Sequence, residues 1–92
     1  MENDDLARYL DEDGRVTRWA TNKNKPHKEL IIAYLATKFE HGKQYHEREV
    51  NEILKQWHTF EDWAMLRREL FVRGYLGRLK DGSAYWREEK SS

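Results

Sequence analysis

Residues 47–57, EREVNEILKQW, place Val50, Ile53, Leu54 and Trp57 at i, i+3, i+4 and i+7, which is one apolar stripe along an α-helix. Glu47, Arg48, Asn51, Glu52 and Lys55 form the opposite, polar face. The residues downstream decide what this helix belongs to. After a break at His58, Thr59-Phe60-Glu61-Asp62 carries a helix-start signature, with the Thr59 hydroxyl placed to accept a hydrogen bond from the N–H of Asp62. Trp63, Leu66, Leu70 and Phe71 give the second helix an inward face, and Gly74 ends it. Residues 76–80 and 83–87 then flank Asp81-Gly82, a pair that tolerates the positive φ of a type I′ turn and so predicts a β-hairpin.

Upstream, Pro26 suits a first helical turn, where its missing N–H has no partner to lose. Leu30, Ile31, Tyr34, Leu35 and Phe39 recur at helical spacing, so a helix over residues 26–40 is expected, stopped by His41-Gly42-Lys43. Gln44 and Tyr45 form a very short strand. At the amino end, Asn3 or Asp4 caps a helical turn carrying Leu6, Tyr9 and Leu10, and Asp13-Gly14 ends it. Residues 15–19 alternate polar with apolar and read as a strand. Residues 20–25 are polar, lysine-rich and without period, which makes them the linker.

Helix, short strand, helix, turn, helix and terminal hairpin is the order of a winged helix-turn-helix. The expected fold is α+β, a winged helix-turn-helix-like three-helix core with a C-terminal β-hairpin and an N-terminal helix/strand extension. It forms one domain over residues 1–92, with the extension at 1–19, the linker at 20–25, core and wing at 26–87 and a frayed tail at 88–92. The expected core is Leu30, Ile31, Tyr34, Leu35, Phe39, Val50, Ile53, Leu54, Trp63, Leu66, Leu70, Leu79 and Trp86.

Composition agrees with one small core. Ninety-two residues leave no room for two, and four Trp, five Tyr and three Phe let each buried position cover a large area. A charged fraction of 37% and a mean hydropathy of -1.09 give the domain a heavily charged surface. There is no cysteine, which excludes disulfides and thiolate zinc sites. Without an apolar run of signal or membrane-span length, a cytoplasmic protein that meets no membrane is expected. Net charge is zero, which argues against a general polyanion binder, yet its distribution is uneven. Residues 1–14 are acidic apart from Arg8, whereas residues 15–28 hold Arg15, Arg18, Lys23, Lys25 and Lys28 and no acid. Two readings fit: solvated ends that attract one another, or a basic arm beside a nucleic-acid surface.

Five separated motifs are similar to those of a bacterial family, domain of unknown function family 2087. They are Tyr9-Leu10-Asp11-Glu12-Asp13-Gly14-Arg15, Tyr34-Leu35-Ala36-Thr37-Lys38-Phe39-Glu40, Tyr45-His46-Glu47-Arg48-Glu49-Val50-Asn51-Glu52-Ile53-Leu54, Leu66-Arg67-Arg68-Glu69-Leu70 and Asp81-Gly82-Ser83-Ala84-Tyr85-Trp86-Arg87. His46 departs from the pattern, which has Thr or Ser there in a capping box with the acid at Glu49, so the second main helix starts without its usual cap. The resemblance implies a winged-helix-like fold and, because the family occurs alone or attached to helix-turn-helix regulators, a transcription-related role.

The candidate chemistry is basic. Arg67 and Arg68 lie in a segment similar to the recognition helix of winged-helix sugar-metabolism repressors, and a guanidinium can bridge guanine or phosphate with two donors. The helical wheel points Arg68 outward and sets Arg67 at the edge of the buried face, while Arg78, Lys80 and Arg87 on the hairpin and Lys43 before the second main helix are candidate phosphate contacts. Against this, the arginines could simply pair with Glu61, Asp62 or Glu69, and the hairpin cations could protect edge strands. Lys23, Lys25 and Lys28 form either a basic arm or a solvated linker. Met65 and Val72 fall on the outward side with Arg68 and are a candidate contact for a partner protein or homodimer. The histidines at 27, 41, 46 and 58 lack metal-ligand spacing, so no metal or other cofactor is expected. Ser83 has no nucleophile elbow around it, and His58 near Glu61 and Asp62 is the only acid–base grouping. No catalytic site is expected. Two function classes remain, a module that binds duplex DNA and a winged-helix module that binds only protein.

Overall fold

The computed structural model describes residues 4–88. The chain runs α1 (Asp4–Ala7), a turn of 3₁₀ helix (Asn22–Asn24), α2 (Lys25–Ala36), β1 (Gln44–Tyr45), α3 (Glu47–Trp57), α4 (Trp63–Val72), β2 (Leu76–Arg78) and β3 (Tyr85–Arg87). The fold is α+β, with an antiparallel sheet in the order β1-β3-β2 at the C-terminal end. This order is compatible with a winged-helix-like arrangement, with β2–β3 as the wing. Asn3 and residues 89–92, where a cap and most of the frayed tail were expected, lie outside the described residues. The backbone N–H of Glu88 donates to the Tyr75 carbonyl at 2.9 Å.

Helix α3 has the bounds its spacing predicts, because Val50 and Leu54 are fully buried and fix its phase. Its start uses half a capping box: Glu49 Oε1 accepts from the His46 N–H at 2.8 Å. The His46 ring turns instead to the wing, where its Nδ1–H donates to the Ser83 carbonyl at 3.2 Å. Helix α2 opens on Lys25, with Pro26 in its first turn, and stops at Ala36, a turn sooner than predicted, since Thr37, Lys38 and Phe39 close 3₁₀-type bonds back to residues 34–36.

Helix α4 begins at Trp63, not at Thr59. The expected Thr59 cap is replaced by His58, whose buried ring accepts the Asp62 N–H on Nε2 at 2.9 Å and donates from Nδ1 to the Leu54 carbonyl. One neutral ring therefore caps the last turn of α3 and holds the residue before α4. Glu61 completes the turn in a left-handed conformation, φ 53°. The expected strand at residues 15–19 is reduced to bridges at Val16, which pairs with Leu10 and with His58. Val16 donates to Trp57 O at 2.8 Å and accepts from Thr59 N at 2.9 Å, so the N-terminal extension is fastened to the α3–α4 turn, not to the sheet.

The hairpin is present, but its turn is not type I′. Gly82 N–H donates to Leu79 O at 2.9 Å and Gly82 has φ 76°, while Asp81 is not left-handed. That is the geometry of a type I turn closed by a left-handed residue. Asp81 accepts from the Ser83 N–H at 2.9 Å, and this bond holds its carboxyl below its ordinary range.

The core sits between α2, α3, α4 and the inner face of the sheet, and it includes Tyr9, Val16, Ile31, Ile32, Leu35, Phe39, Tyr45, Val50, Leu54, Leu66, Leu70, Leu76 and Tyr85. Two expected members are elsewhere. Leu79 is 49% exposed just beyond β2, on the wing. Trp86 alternates with Tyr85, so Tyr85 points inward and Trp86 lies half-buried on the outer face, opposite Gly77. Leu30, Tyr34, Ile53 and Trp63 are half-buried at the core's margin.

Candidate nucleic-acid interface

Helix α4 is held by Leu66 and Leu70, both fully buried. Each further residue rotates about 100° around the helix, so Phe71, one step past Leu70, turns outward and is 38% exposed. The inward assignment of Phe71 is thereby corrected. Met65 is half-buried against the core, not fully outward as expected, while Val72 is 68% exposed. Ala64 and Arg68 share the exposed side with Phe71 and Val72.

Between this side of α4 and the wing runs a groove of about 650 Å³, lined by both faces of the contact: Met65, Arg67, Arg68, Phe71, Val72, Arg78 and Tyr85 among others. The cations in it differ in freedom. Arg67 donates to Asn51 Oδ1 at 2.5 Å and lies 3.9 Å from Glu47 Oε2, so α3 holds it. The Arg78 guanidinium lies 4.4 Å from the centre of the Phe71 ring, a cation–π contact that joins wing to helix. Arg68 is exposed and makes no hydrogen bond or ion pair among the described residues. Lys80 is exposed on the wing.

Glu69, the acid within the groove, is already neutralised. Its Oε1 accepts from Arg73 Nε at 2.6 Å, and Arg73 Nη1 also donates to Glu29 at 2.9 Å. The Glu69 hydrogen bond, helped by Glu29, raises the guanidinium's pKa further. Tyr75 donates its hydroxyl to the same Glu29, and burial first, then this bond, pushes the phenol up to about 12. This cluster ties α2, α4 and the segment before β2 together, leaving the groove with three arginines and no uncompensated carboxylate among its lining residues. Glu61 and Asp62 are exposed at the opposite end of α4 from Val72.

The groove thus brings together Arg67, Arg68, Arg78, Met65 and Val72, while Lys80, exposed two residues past Arg78 on the wing, is not among its lining residues. The other candidates lie apart. Arg87 donates to the Phe39 carbonyl at 3.2 Å. Lys43 stands 5.1 Å from the Tyr45 ring centre in a separate hollow with Arg48 and Glu52. Lys23 lies in the 3₁₀ turn and Lys25 and Lys28 in the first turn of α2, where Lys28 donates to Asn22 at 2.6 Å. Ala64, Phe71 and Tyr85 are groove residues that sequence reasoning missed; a wheel phased on Leu66 and Leu70 alone would have found the first two, whereas Tyr85 enters from the wing. The His58 ring near Glu61 and Asp62 is 4% exposed and spends both nitrogens on backbone, which is a structural role. Among the described residues, no three histidine or carboxylate side chains converge as metal ligands, and no helix is long and apolar enough to cross a membrane.

A family model described as an uncharacterized protein conserved in bacteria (DUF2087) matches residues 15–87. No curated protein and no solved structure matches the chain.

Proposed function

The chain belongs to this bacterial family, and from that premise we propose that it is a DNA-binding or transcription-associated module that uses α4 and the β2–β3 wing. The observation that carries the reading is the groove in which Arg68 and Arg78 from two elements converge while Glu69 is paired away with Arg73 and Arg67 is held by Glu47. Convergent cations without a compensating acid make a local field that attracts phosphate even on a chain of zero net charge. Arg68 has the free donors that reading a base edge requires, and Lys80 supplies a mobile charge for the backbone. Glu61 and Asp62 repel phosphate just before α4, so the phosphate backbone is met at the C-terminal end of the helix and at the wing while the exposed side of α4 faces the bases.

The test is fluorescence anisotropy with labelled duplex over a range of salt. Affinity falls linearly in log–log form, with a slope set by the number of phosphates neutralised. Absence of binding at low salt rejects the reading. A second reading, a module that binds only protein, is favoured by one observation: among the described residues, the exposed large hydrophobics Phe71, Val72 and Leu79 all belong to α4 and the wing. Binding of a protein partner through this face without any affinity for duplex is the outcome it requires.

A further inference from the structure

On a chain that is 37% charged, the exposed side of α4 is unexpectedly apolar. Ala64, Arg68 and Phe71 recur at i, i+4 and i+7, and Val72 completes the stripe; all four are exposed. From Ala64 to Val72 the helix advances about 12 Å, the span of roughly three to four stacked base pairs. The apolar groups are not one continuous patch. Arg68 stands between Ala64 and the Phe71–Val72 pair, and the Arg78 guanidinium lies over the Phe71 ring. Single apolar groups alternating with guanidinium donors complement the major-groove edge of a duplex in which thymine C5-methyl groups adjoin guanine O6 and N7. A continuous apolar protein contact would need no unpaired cation at its centre.

Resting on the DNA reading above, we infer that α4 reads mixed guanine–thymine sequence, with Arg68 donating to guanine and Ala64, Phe71 and Val72 packing against thymine methyls. Arg67 takes no part in this readout, since Asn51 and Glu47 hold it on the α3 side. The apolar side chains then supply specificity without adding to the salt-dependent term, because a methyl contact releases no counterions.

The experiment uses the full chain and a random-sequence duplex pool. Sites enriched from the pool should hold a guanine with thymines within three or four base pairs. One such duplex is resynthesised with deoxyuridine for thymidine, which removes the methyl groups alone, and separately with 7-deazaguanine, which removes the N7 acceptor. Affinity should fall by about fourfold for each contacted methyl removed and should also fall with 7-deazaguanine. Phe71→Ser combined with Val72→Ser, both at exposed positions, should reduce the thymidine-over-deoxyuridine preference to what the Ala64 contact alone supplies and keep the salt slope. Equal affinity for thymidine and deoxyuridine duplexes, with salt-dependent binding intact, would overturn this inference and leave the DNA reading standing. No binding to any duplex at low salt would remove both.

Discussion

Replacing His58 with leucine tests the turn that aims α4 at the groove. The ring bridges two backbone groups: Nδ1–H satisfies the Leu54 carbonyl, which the last turn of α3 leaves without a helical partner, and Nε2 takes the N–H of Asp62. Leucine keeps most of the buried bulk, so the cavity contribution is small. The Leu54 carbonyl lies in the core beside a residue with no exposed surface, and stranding it there costs about 1–3 kcal/mol. Asp62 is exposed, so water replaces the ring at its N–H and only the net value of a hydrogen bond, about 0.5–1.5 kcal/mol, is lost. The sum is about 1.5–4.5 kcal/mol, read as a lower urea midpoint at unchanged slope. Nitrogen-15 shifts of the ring should report the Nδ1–H tautomer in the folded protein. An unchanged midpoint, or an Nε2–H tautomer, would refute the capping role.

Other outcomes follow from the same geometry. Leu54→Ala removes a fully buried side chain where α3 meets the core and should cost about 2–5 kcal/mol by denaturant unfolding. Gly82→Val forces a β-branched residue to φ 76° and sets its Cβ 3.2 Å from Glu47 Oε1, so the wing should loosen by about 1–3 kcal/mol, seen as faster amide exchange in β2 and β3. Because the Tyr75 phenol is raised from 10.0 to about 12, the unfolded chain ionises first, and stability should fall as pH rises through that window; Tyr75→Phe should make the fall shallower in pH-dependent melts. Arg68→Ala should weaken duplex binding by about 1–3 kcal/mol with loss of sequence preference, whereas Lys80→Ala should lower the salt slope by about one unit and leave preference unchanged.

Much of this fold is legible in the sequence because its strongest signals are local. The Val50–Ile53–Leu54–Trp57 stripe needs no tertiary information to define α3, and Asp81-Gly82 marks the wing even though its turn type differs. The features that sequence alone misplaced depend on partners far along the chain. Thr59 carries an acceptable cap pattern, but His58 and Val16 together hold the α3–α4 turn extended, and α4 starts later. Residues 15–19 have strand composition without a neighbouring strand to pair, so only Val16 bridges. Trp86 and Tyr85 are adjacent aromatics of similar propensity, and only the register Gly77↔Trp86 decides which faces inward. At the candidate site, the outward direction of Arg68 follows from the helical period, while the neutralisation of Glu69 by Arg73 and the contact of Arg78 with Phe71 join groups that no local pattern links.

The duplex site proposed above is the groove between α4 and the wing. Amide chemical shifts of the nitrogen-15-labelled chain, followed during titration with duplex at low salt, test it most directly. The largest shifts should fall on Ala64, Arg68, Phe71 and Val72 and on Arg78 through Lys80, and added salt should reverse them. Shifts concentrated instead at Lys23, Lys25 and Lys28, or none at any duplex concentration, would contradict it.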